Sequence, residues 1–241
     1  MTRLRVALLN AAHDGTHTRR NFRRDVDADL VEFDATNGQL PPVGECCAEF
    51  DACLVSGSRA SVYWDETWIR DTQAWVREAH DAGLPFLGIC WGHQLLAEAL
   101  GGTVEDMGEY EIGYRTVSHR GGRLFDGIDE EFLVFTTHSD HVAELPPGGE
   151  LLAENDYGVH GFQKGHAFGV QFHPEYDTET AEEVTRGKDL DPERKGRVLD
   201  GITRENFLRA SEAKALFDNF LGYVRELRVQ EVAGESRAVG D

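Results

Sequence analysis

The stretch that decides the fold is Pro85-Phe-Leu-Gly-Ile-Cys90-Trp-Gly92-His-Gln94-Leu-Leu-Ala-Glu-Ala-Leu-Gly101-Gly102. Its apolar run at residues 86–89 predicts a buried strand, and the apolar-periodic segment that follows predicts a helix ending at the glycine pair. Cys90 therefore lies at a strand-to-helix turn, the elbow, between Gly88 and Gly92, which let the backbone turn sharply. A helix N-terminus also favours thiolate over thiol. The pattern predicts a nucleophile; the alternative is a buried structural thiol.

A second segment supplies what a cysteine nucleophile needs. The strand-like residues 167–172 run into His173-Pro174-Glu175. A histidine at a strand end can take the thiol proton, and a carboxylate two residues on can orient the ring and stabilise the imidazolium. We therefore predict that Cys90, His173 and Glu175 form a catalytic triad.

Four blocks, which follow one another along the chain in the family's order, resemble the class I glutamine amidotransferases. Within that family the chain resembles stand-alone proteins similar to the amidotransferase domain of GMP synthase. The resemblance covers about residues 3–176. The blocks are Gly88-Ile-Cys90-Trp-Gly92-His-Gln94, Gly169-Val-Gln-Phe-His173-Pro-Glu175, Leu54-Val-Ser-Gly57-Ser58-Arg-Ala-Ser61-Val-Tyr63 and Thr137-His138-Ser139-Asp140.

An oxyanion hole needs two backbone donors. The N–H of Trp91, at the start of the elbow helix, is one candidate. The resemblance implies that the other comes from the Gly57-Ser58 turn, where the family has a second glycine followed by proline. This chain has Ser58 and Arg59 at those positions. The turn could also be no more than the end of a strand.

The resemblance also implies the residues that bind glutamine. Gln94 lies one helical turn beyond Cys90 and matches a family residue that contacts the substrate; a buried structural glutamine is the alternative. Residues Thr137, His138, Ser139 and Asp140 resemble the loop that holds the amino-acid head group, with Ser139 in place of the family's glycine. No carboxylate follows His138 at a matching spacing, so we do not expect it to be the base.

Other polar residues give weaker signals. His13 and His17 flank the loop after the first strand, where α/β proteins often build sites, but the sequence favours solvated loop residues. The histidines and the four cysteines lack zinc-ligand spacing, so no metal and no cofactor is expected; Cys46, Cys47 and Cys53 are predicted to be packing residues. The arginines at positions 19, 20, 23 and 24 could dock an acidic partner or a phosphate-bearing acceptor, although a solvated helix face is favoured.

Strands that alternate with amphipathic helices predict an α/β fold. We expect a mostly parallel, flavodoxin-like central sheet with helices on both faces, a small antiparallel hairpin region after residue 103, and C-terminal helices. The predicted division is an amidotransferase domain at residues 1–178, a helical extension packed on it at 179–229, and a disordered tail at 230–241.

The amino-acid composition argues against a nucleic-acid-binding protein and indicates an acidic surface. The formal net charge is −20, from 24 Lys and Arg against 44 Asp and Glu, and only four of the 24 basic residues are Lys. Nucleic-acid binding needs a basic face and is not expected. The acidic, Lys-poor composition resembles that of proteins from extreme halophiles. The N-terminus has no apolar signal region and no window could span a membrane, so a cytoplasmic location is predicted.

The predicted reaction is hydrolysis of the glutamine side-chain amide through a Cys90 thioester, giving glutamate and ammonia. The chain has no nucleotide-binding motif, so a separate synthetase partner is expected to use the ammonia. Two alternatives remain: a cysteine hydrolase of another γ-glutamyl compound, and a non-catalytic regulatory module on the same fold. The oligomeric state is not readable from the sequence.

We predict that folding depends on salt. The Debye length falls from about 30 Å at 0.01 M to about 3 Å at 1 M salt, so carboxylates that repel one another across the domain in dilute buffer are screened in molar KCl. A gain of about 3 kcal/mol would raise the melting temperature by roughly 6–12 °C. Thermal scans from millimolar to molar KCl measure this, with sucrose as a control that strengthens burial without screening. A melting temperature that does not change with KCl contradicts the halophile interpretation.

Overall fold

The computed structural model describes residues 3–42 and 49–238, with the backbone alone for 231–238. Within these residues the strands are β1 (Arg5–Asn10), β2 (Asp29–Asp34), β3 (Ala52–Val55), β4 (Phe86–Ile89), β5 (Thr103–His119), β6 (Glu131–Glu144), β7 (Glu150–Asn155), β8 (Gly158–Lys164) and β9 (Ala167–Val170). The helices are α1 (Thr16–Asp25), α2 (Thr67–Asp81), α3 (Trp91–Ala99), α4 (Thr178–Arg186), α5 (Pro192–Asp200), α6 (Arg204–Ala210) and α7 (Ala215–Ala238). Three short 3₁₀ helices cover Ala35–Asn37, Arg123–Phe125 and Ser211–Lys214.

Over the described residues the strands form one nine-stranded sheet in the order β2-β1-β3-β4-β9-β8-β7-β5-β6. The first five strands of that order pair in parallel, and the remaining pairs are antiparallel. The predicted α/β class is confirmed. The antiparallel part is larger than the small hairpin region that the sequence predicts, and it continues the same sheet.

The long β5–β6 hairpin accounts for that difference. These strands have 17 and 14 residues, against the short runs that the sequence suggests. Their register shifts between Asp106 and Glu111, so the alternation of apolar and polar residues is interrupted. Because this break interrupts the period-two pattern, the sequence shows only short apolar fragments of the two long strands.

Helices cover both faces of the parallel strands. The central strands β3, β4 and β9 are buried at every residue, as expected for parallel strands between two helical layers. Leu8 packs on one side with α7, which contributes Leu216, Phe217, Phe220, Leu221 and Val224. Its neighbours Ala7 and Leu9 pack on the other side with α2 and α3, which contribute Ile69, Trp75, Val76, Leu95 and Leu96. The apolar stripes predicted on α2 and α7 are these buried faces.

The C-terminal helix continues further than expected. α7 extends to Ala238, past Gln230, where the sequence predicts a disordered tail to begin; residues 239–241 lie outside the described part. The structure does not test the division at residue 178, which stays a prediction. No helix among the described residues is both long and apolar enough to span a membrane.

The turn from β4 into α3 depends on close backbone contacts. A Cβ on Gly88 would lie 2.3 Å from the carbonyl oxygen of Gly92, and a Cβ on Gly92 would lie 2.4 Å from that of Val55. Both distances are shorter than any real Cβ contact, and the atoms contacted are backbone. The two glycines therefore let the helix start directly against the sheet.

Replacing Gly88 with alanine should destabilise the fold by about 1–3 kcal/mol, the usual cost of forcing atoms into a packed core. A matched control is Gly196→Ala in α5, where an added Cβ meets no atom within 4 Å. Removing glycine from a helix interior should stabilise by about 0.5–1 kcal/mol. Urea denaturation at one fixed KCl concentration measures both variants. Equal effects of the two substitutions contradict the close-contact account of the elbow.

Candidate active site

Cys90 lies at the tip of the elbow between β4 and α3. It has φ 53° and ψ −103°, and among the described residues it is the only non-glycine with a positive φ. Its N–H donates to the carbonyl of Val170 at 2.8 Å, and its own carbonyl accepts from the N–H of Gln94 at 3.1 Å. Hydrogen bonds to a neighbouring strand and to the helix thus hold a backbone conformation that L-residues avoid, which is typical of functional sites.

His173 and Glu175 follow β9, the parallel neighbour of β4. The Nδ1 atom of His173 lies 2.8 Å from Oε1 of Glu175, and both side chains are buried. The N–H of His173 donates to the carbonyl of Phe135 at 2.9 Å. A cavity of about 260 Å³ is lined by Cys90, His173 and Glu175 together. The structure therefore brings the three predicted triad residues to one cavity.

The His173 ring favours its charged form. Burial opposes that charge, but the Glu175 carboxylate and the Cys90 sulfur outweigh it and raise the pKa of His173 to about 10. Tyr176 stacks on the ring, with centroids 4.0 Å apart. Burial raises the pKa of Tyr176 well above its usual value, as do the nearby charges of Glu175 and Cys90, so its hydroxyl stays neutral. The neighbouring groups therefore stabilise the protonated His173 ring, while Sγ of Cys90 donates to the carbonyl of Thr137 at 3.9 Å.

Two arginines of α1 support the Glu175 segment. Arg24 donates to the carbonyl of Glu175 at 2.6 Å and to Asp177 at 2.7 Å, and Arg20 also bonds Asp177. Asp177 is in turn the N-cap of α4, accepting from the N–H of Thr180. The sequence favours a solvated helix face for the arginine cluster. Two of its members instead hold the turn that carries Glu175 in place.

The predicted oxyanion-hole residues lie beside the triad. Gly57 and Ser58 line the cavity, and a Cβ on Gly57 would lie 2.9 Å from Cε1 of His173. Ser58 does not have a positive φ, so a serine in place of the family's glycine causes no backbone strain. Trp91 is the first residue of α3, and its ring packs on Trp68 with centroids 5.2 Å apart.

The predicted substrate-binding residues are only partly at the cavity. Thr137 lines it, whereas Gln94, His138, Ser139 and Asp140 do not. Gln94 is buried and donates to the carbonyl of Asp140 at 2.8 Å and to Oε1 of Gln171 at 3.0 Å. One helical turn beyond Cys90 the side chain thus faces the neighbouring strands, and the alternative of a buried structural glutamine describes its contacts.

His138 has a carboxylate partner that sequence reasoning missed. Its Nε2 lies 2.7 Å from Oε2 of Glu111, and its Nδ1 lies 2.9 Å from the carbonyl of Asp140. Nε2 of His160 lies 3.0 Å from the same Glu111 oxygen, and Asn155 donates to the other oxygen at 2.7 Å. Burial raises the pKa of Glu111, but the two histidines outweigh it and lower the pKa to about 2.

Glu111, His138 and His160 are also the described residues that could hold a metal ion, since their donor atoms lie within 4.8 Å of one another. Both carboxylate oxygens already have hydrogen-bond partners, whereas Nδ1 of His160 is buried without one. These partners are 27 and 49 positions from Glu111, and no local spacing could have revealed them.

Much of the cavity wall comes from residues that the sequence did not predict there. His13, Asp14 and His17 line it from the loop after β1 and from α1, although the sequence favours solvated positions for His13 and His17. From the C-terminal side the wall includes Thr180, Glu183 and Val184 of α4, with Lys188 just beyond. For His13, Asp14 and His17 the sequence offered one signal, because α/β proteins often place sites in the loop after the first strand.

The remaining cysteines are not at the cavity where the structure describes them. Cys53 is buried, as predicted for a packing residue. Cys46 and Cys47, which carry the same prediction, lie outside the described residues.

Known proteins resemble this chain in both sequence and structure. GMP synthase [glutamine-hydrolyzing] of Staphylococcus epidermidis is 38% identical over 125 residues, which are 51% of this chain and 23% of that protein, and the Staphylococcus aureus protein gives the same values. The match thus spans less than a quarter of the length of these curated relatives.

Solved structures agree on the fold. A glutamine amidotransferase from Thermotoga maritima superposes with a TM-score of 0.73 at 23% identity, covering 93% of this chain and 99% of that one. A glutamine amidotransferase from Methylobacillus flagellatus also gives a TM-score of 0.73, at 19% identity, covering 92% of this chain and 95% of that one.

The model of the class-I glutamine amidotransferase family matches residues 16–187, from α1 to just beyond α4. That range takes in the elbow, the His173–Glu175 turn and both sides of the cavity. The chain therefore belongs to the class-I glutamine amidotransferase family.

Proposed function

We propose that this protein hydrolyses the side-chain amide of glutamine to glutamate and ammonia. The observation that carries the proposal is the cavity itself, because Cys90 at a strained elbow meets a buried His173–Glu175 pair there. A nucleophile, a base and an orienting carboxylate are the groups that acyl transfer through a thioester requires. Their burial and the charge on His173 argue against a non-catalytic module.

In the proposed mechanism the Cys90 sulfur attacks the amide carbon and forms a C–S bond. The C–N bond breaks as His173 gives its proton to the departing nitrogen, which leaves as ammonia. Water then attacks the thioester, His173 takes the proton of that water, and glutamate leaves as the sulfur is released. Glu175 keeps the ring oriented throughout. The backbone N–H groups of Trp91 and of the Gly57-Ser58 turn are proposed to donate to the developing oxyanion.

The ammonia is proposed to pass to a separate synthetase. The Staphylococcus relatives are named as glutamine-hydrolysing GMP synthases, and the match to them covers 23% of their length. A partner that supplies the remaining chemistry would be recognised by its ability to raise the rate of ammonia release. We further propose a cytoplasmic, halophilic enzyme, as the composition indicates.

Ammonia release from glutamine in molar KCl tests the proposed function. Cys90→Ala and His173→Ala should each lower kcat by about 10⁴-fold or more, because nucleophile and base act as a unit. Glu175→Gln should lower kcat by roughly a hundredfold or more while leaving measurable turnover, since the carboxylate acts through the ring. Cys53→Ala is the matched control, being a buried cysteine outside the cavity. If Cys90→Ala retains the wild-type rate, the proposed function is wrong.

The charge on His173 predicts a pH dependence. Its pKa is about 10 in the folded protein against an ordinary 6.5, so the ring should keep its proton through neutral pH and lose it near pH 10. Because the folded-state pKa is raised, the stabilisation is complete below pH 6.5 and is lost as the pH rises towards 10.

The free energy of unfolding should therefore fall over that interval, and NMR of the labelled ring should show the transition directly. Cys90→Ser removes the sulfur that raises the pKa of His173 and should therefore lower that pKa. A ring that titrates near 6.5 in the wild-type protein contradicts the ion-pair account.

A further inference from the structure

Arg59 is an exposed cation at the catalytic cavity; its charge acts on the Asp14 carboxylate of the same wall, but no described side chain forms an ion pair or hydrogen bond with it. It lines the cavity directly after Gly57 and Ser58, and within the described residues it makes no hydrogen bond or ion pair. The family motif has proline at this position, so the arginine is a departure from that motif. An exposed, unpaired guanidinium beside a nucleophile is available to bind a ligand.

The other charged groups of the wall are already engaged. The Lys188 ammonium lies 4.9 Å from the centroid of the Tyr110 ring, in a cation–π contact. Glu183 lies 2.6 Å from Nε2 of His17, and Asp14 accepts from the Thr16 hydroxyl at 2.9 Å. Among the described wall residues Arg59 is thus the cation best placed to receive an anion.

The guanidinium reaches across the rim of the cavity towards α4. An ideal Cβ on Gly187 would lie 3.9 Å from one of its terminal nitrogens. Its charge also acts on Tyr176, whose ring stacks on His173. Arg59 therefore spans from the predicted oxyanion turn to the end of α4, close to the catalytic histidine.

We propose that Arg59 binds the α-carboxylate of the γ-glutamyl substrate, which rests on the proposed amide hydrolysis at Cys90. The planar guanidinium fork matches a carboxylate and can bond it with two parallel N–H groups. A local cation is also needed because the chain carries a net charge of −20, whose field repels anions. In molar salt only contact-range attraction survives screening, and a direct guanidinium–carboxylate pair acts at that range.

Steady-state kinetics at one fixed KCl concentration form the first test. Arg59→Gln should raise KM for glutamine by roughly ten- to a hundredfold, the usual effect of losing a charge-assisted hydrogen bond, with kcat changed by less than about threefold. Arg59→Lys keeps the charge but lacks the planar guanidinium fork, so its KM should lie between those of the wild-type protein and Arg59→Gln. The control is Arg120→Gln, the same change at an exposed arginine outside the cavity.

A second substrate, 4-aminobutanamide, tests the partner of Arg59, because it is glutamine without its α-carboxylate. Wild-type protein should discriminate against this amide in kcat/KM, and Arg59→Gln should lose most of that discrimination. An unchanged ratio between the two substrates in Arg59→Gln overturns the proposal.

A second readout does not depend on glutamine hydrolysis. Iodoacetate is anionic and iodoacetamide neutral, and both alkylate the Cys90 thiolate, which mass spectrometry of the labelled peptide quantifies. The ratio of the iodoacetate rate to the iodoacetamide rate should fall several-fold in Arg59→Gln and stay unchanged in Arg120→Gln.

The two readouts separate the two hypotheses. If the alkylation ratio falls but wild-type protein releases no ammonia from glutamine, the anion site stands and the proposed function fails. If wild-type protein hydrolyses glutamine but neither KM nor the alkylation ratio responds to Arg59→Gln, the function stands and the anion site is overturned.

Discussion

The close contact of backbone with backbone at the Cys90 elbow is the constraint on which the site depends. Neither Gly88 nor Gly92 has room for a Cβ, so α3 can begin directly on the end of β4, against β3. Cys90 takes a positive φ there because hydrogen bonds on both sides hold it, one of them to Val170 of β9. The same hydrogen bond links the elbow to the strand that leads to His173. Cys90 and His173 are therefore positioned by a single parallel strand pair, β4 and β9.

Charged groups hold both the turn that carries Glu175 and the His173 ring in place. The chain is strongly acidic, yet two arginines of α1 bind Asp177 and the carbonyl of Glu175. They hold the turn after His173 without contacting the cavity themselves. Within the cavity the buried Glu175 and the Cys90 sulfur together stabilise a charge on His173 that burial alone would oppose. The charge on His173 thus depends on a low-dielectric site in which oppositely charged groups lie close to the ring.

The sequence was sufficient where the chemistry depends on local spacing. The elbow, the His173–Glu175 pair and the apolar stripes of α2 and α7 each lie within one short segment, and the structure shows all of them. Prediction from the sequence failed where the hydrogen-bond partner of a site residue is distant along the chain. Glu111 bonds His138 across the β5–β6 hairpin and Arg24 reaches Glu175 from 151 positions away, and neither spacing leaves a periodic signal. The substrate-binding role of Gln94 stays a prediction, because helical phase predicts a face of the helix but not which neighbouring strand covers it, and the side chain donates to the carbonyl of Asp140.

The C-terminal part of the chain has more to do with the site than the predicted boundary at residue 178 suggests. Glu183 and Val184 of α4 line the same cavity as Cys90, and Lys188 follows them. The family match runs to residue 187 and so includes this helix. The Arg20 and Arg24 contacts with Asp177 fasten the start of α4 to α1, and the His17–Glu183 contact joins the two helices again at the cavity. Since α1 and α4 carry neither Cys90, His173 nor Glu175, they are the elements that can change the shape of the cavity without disturbing these three residues.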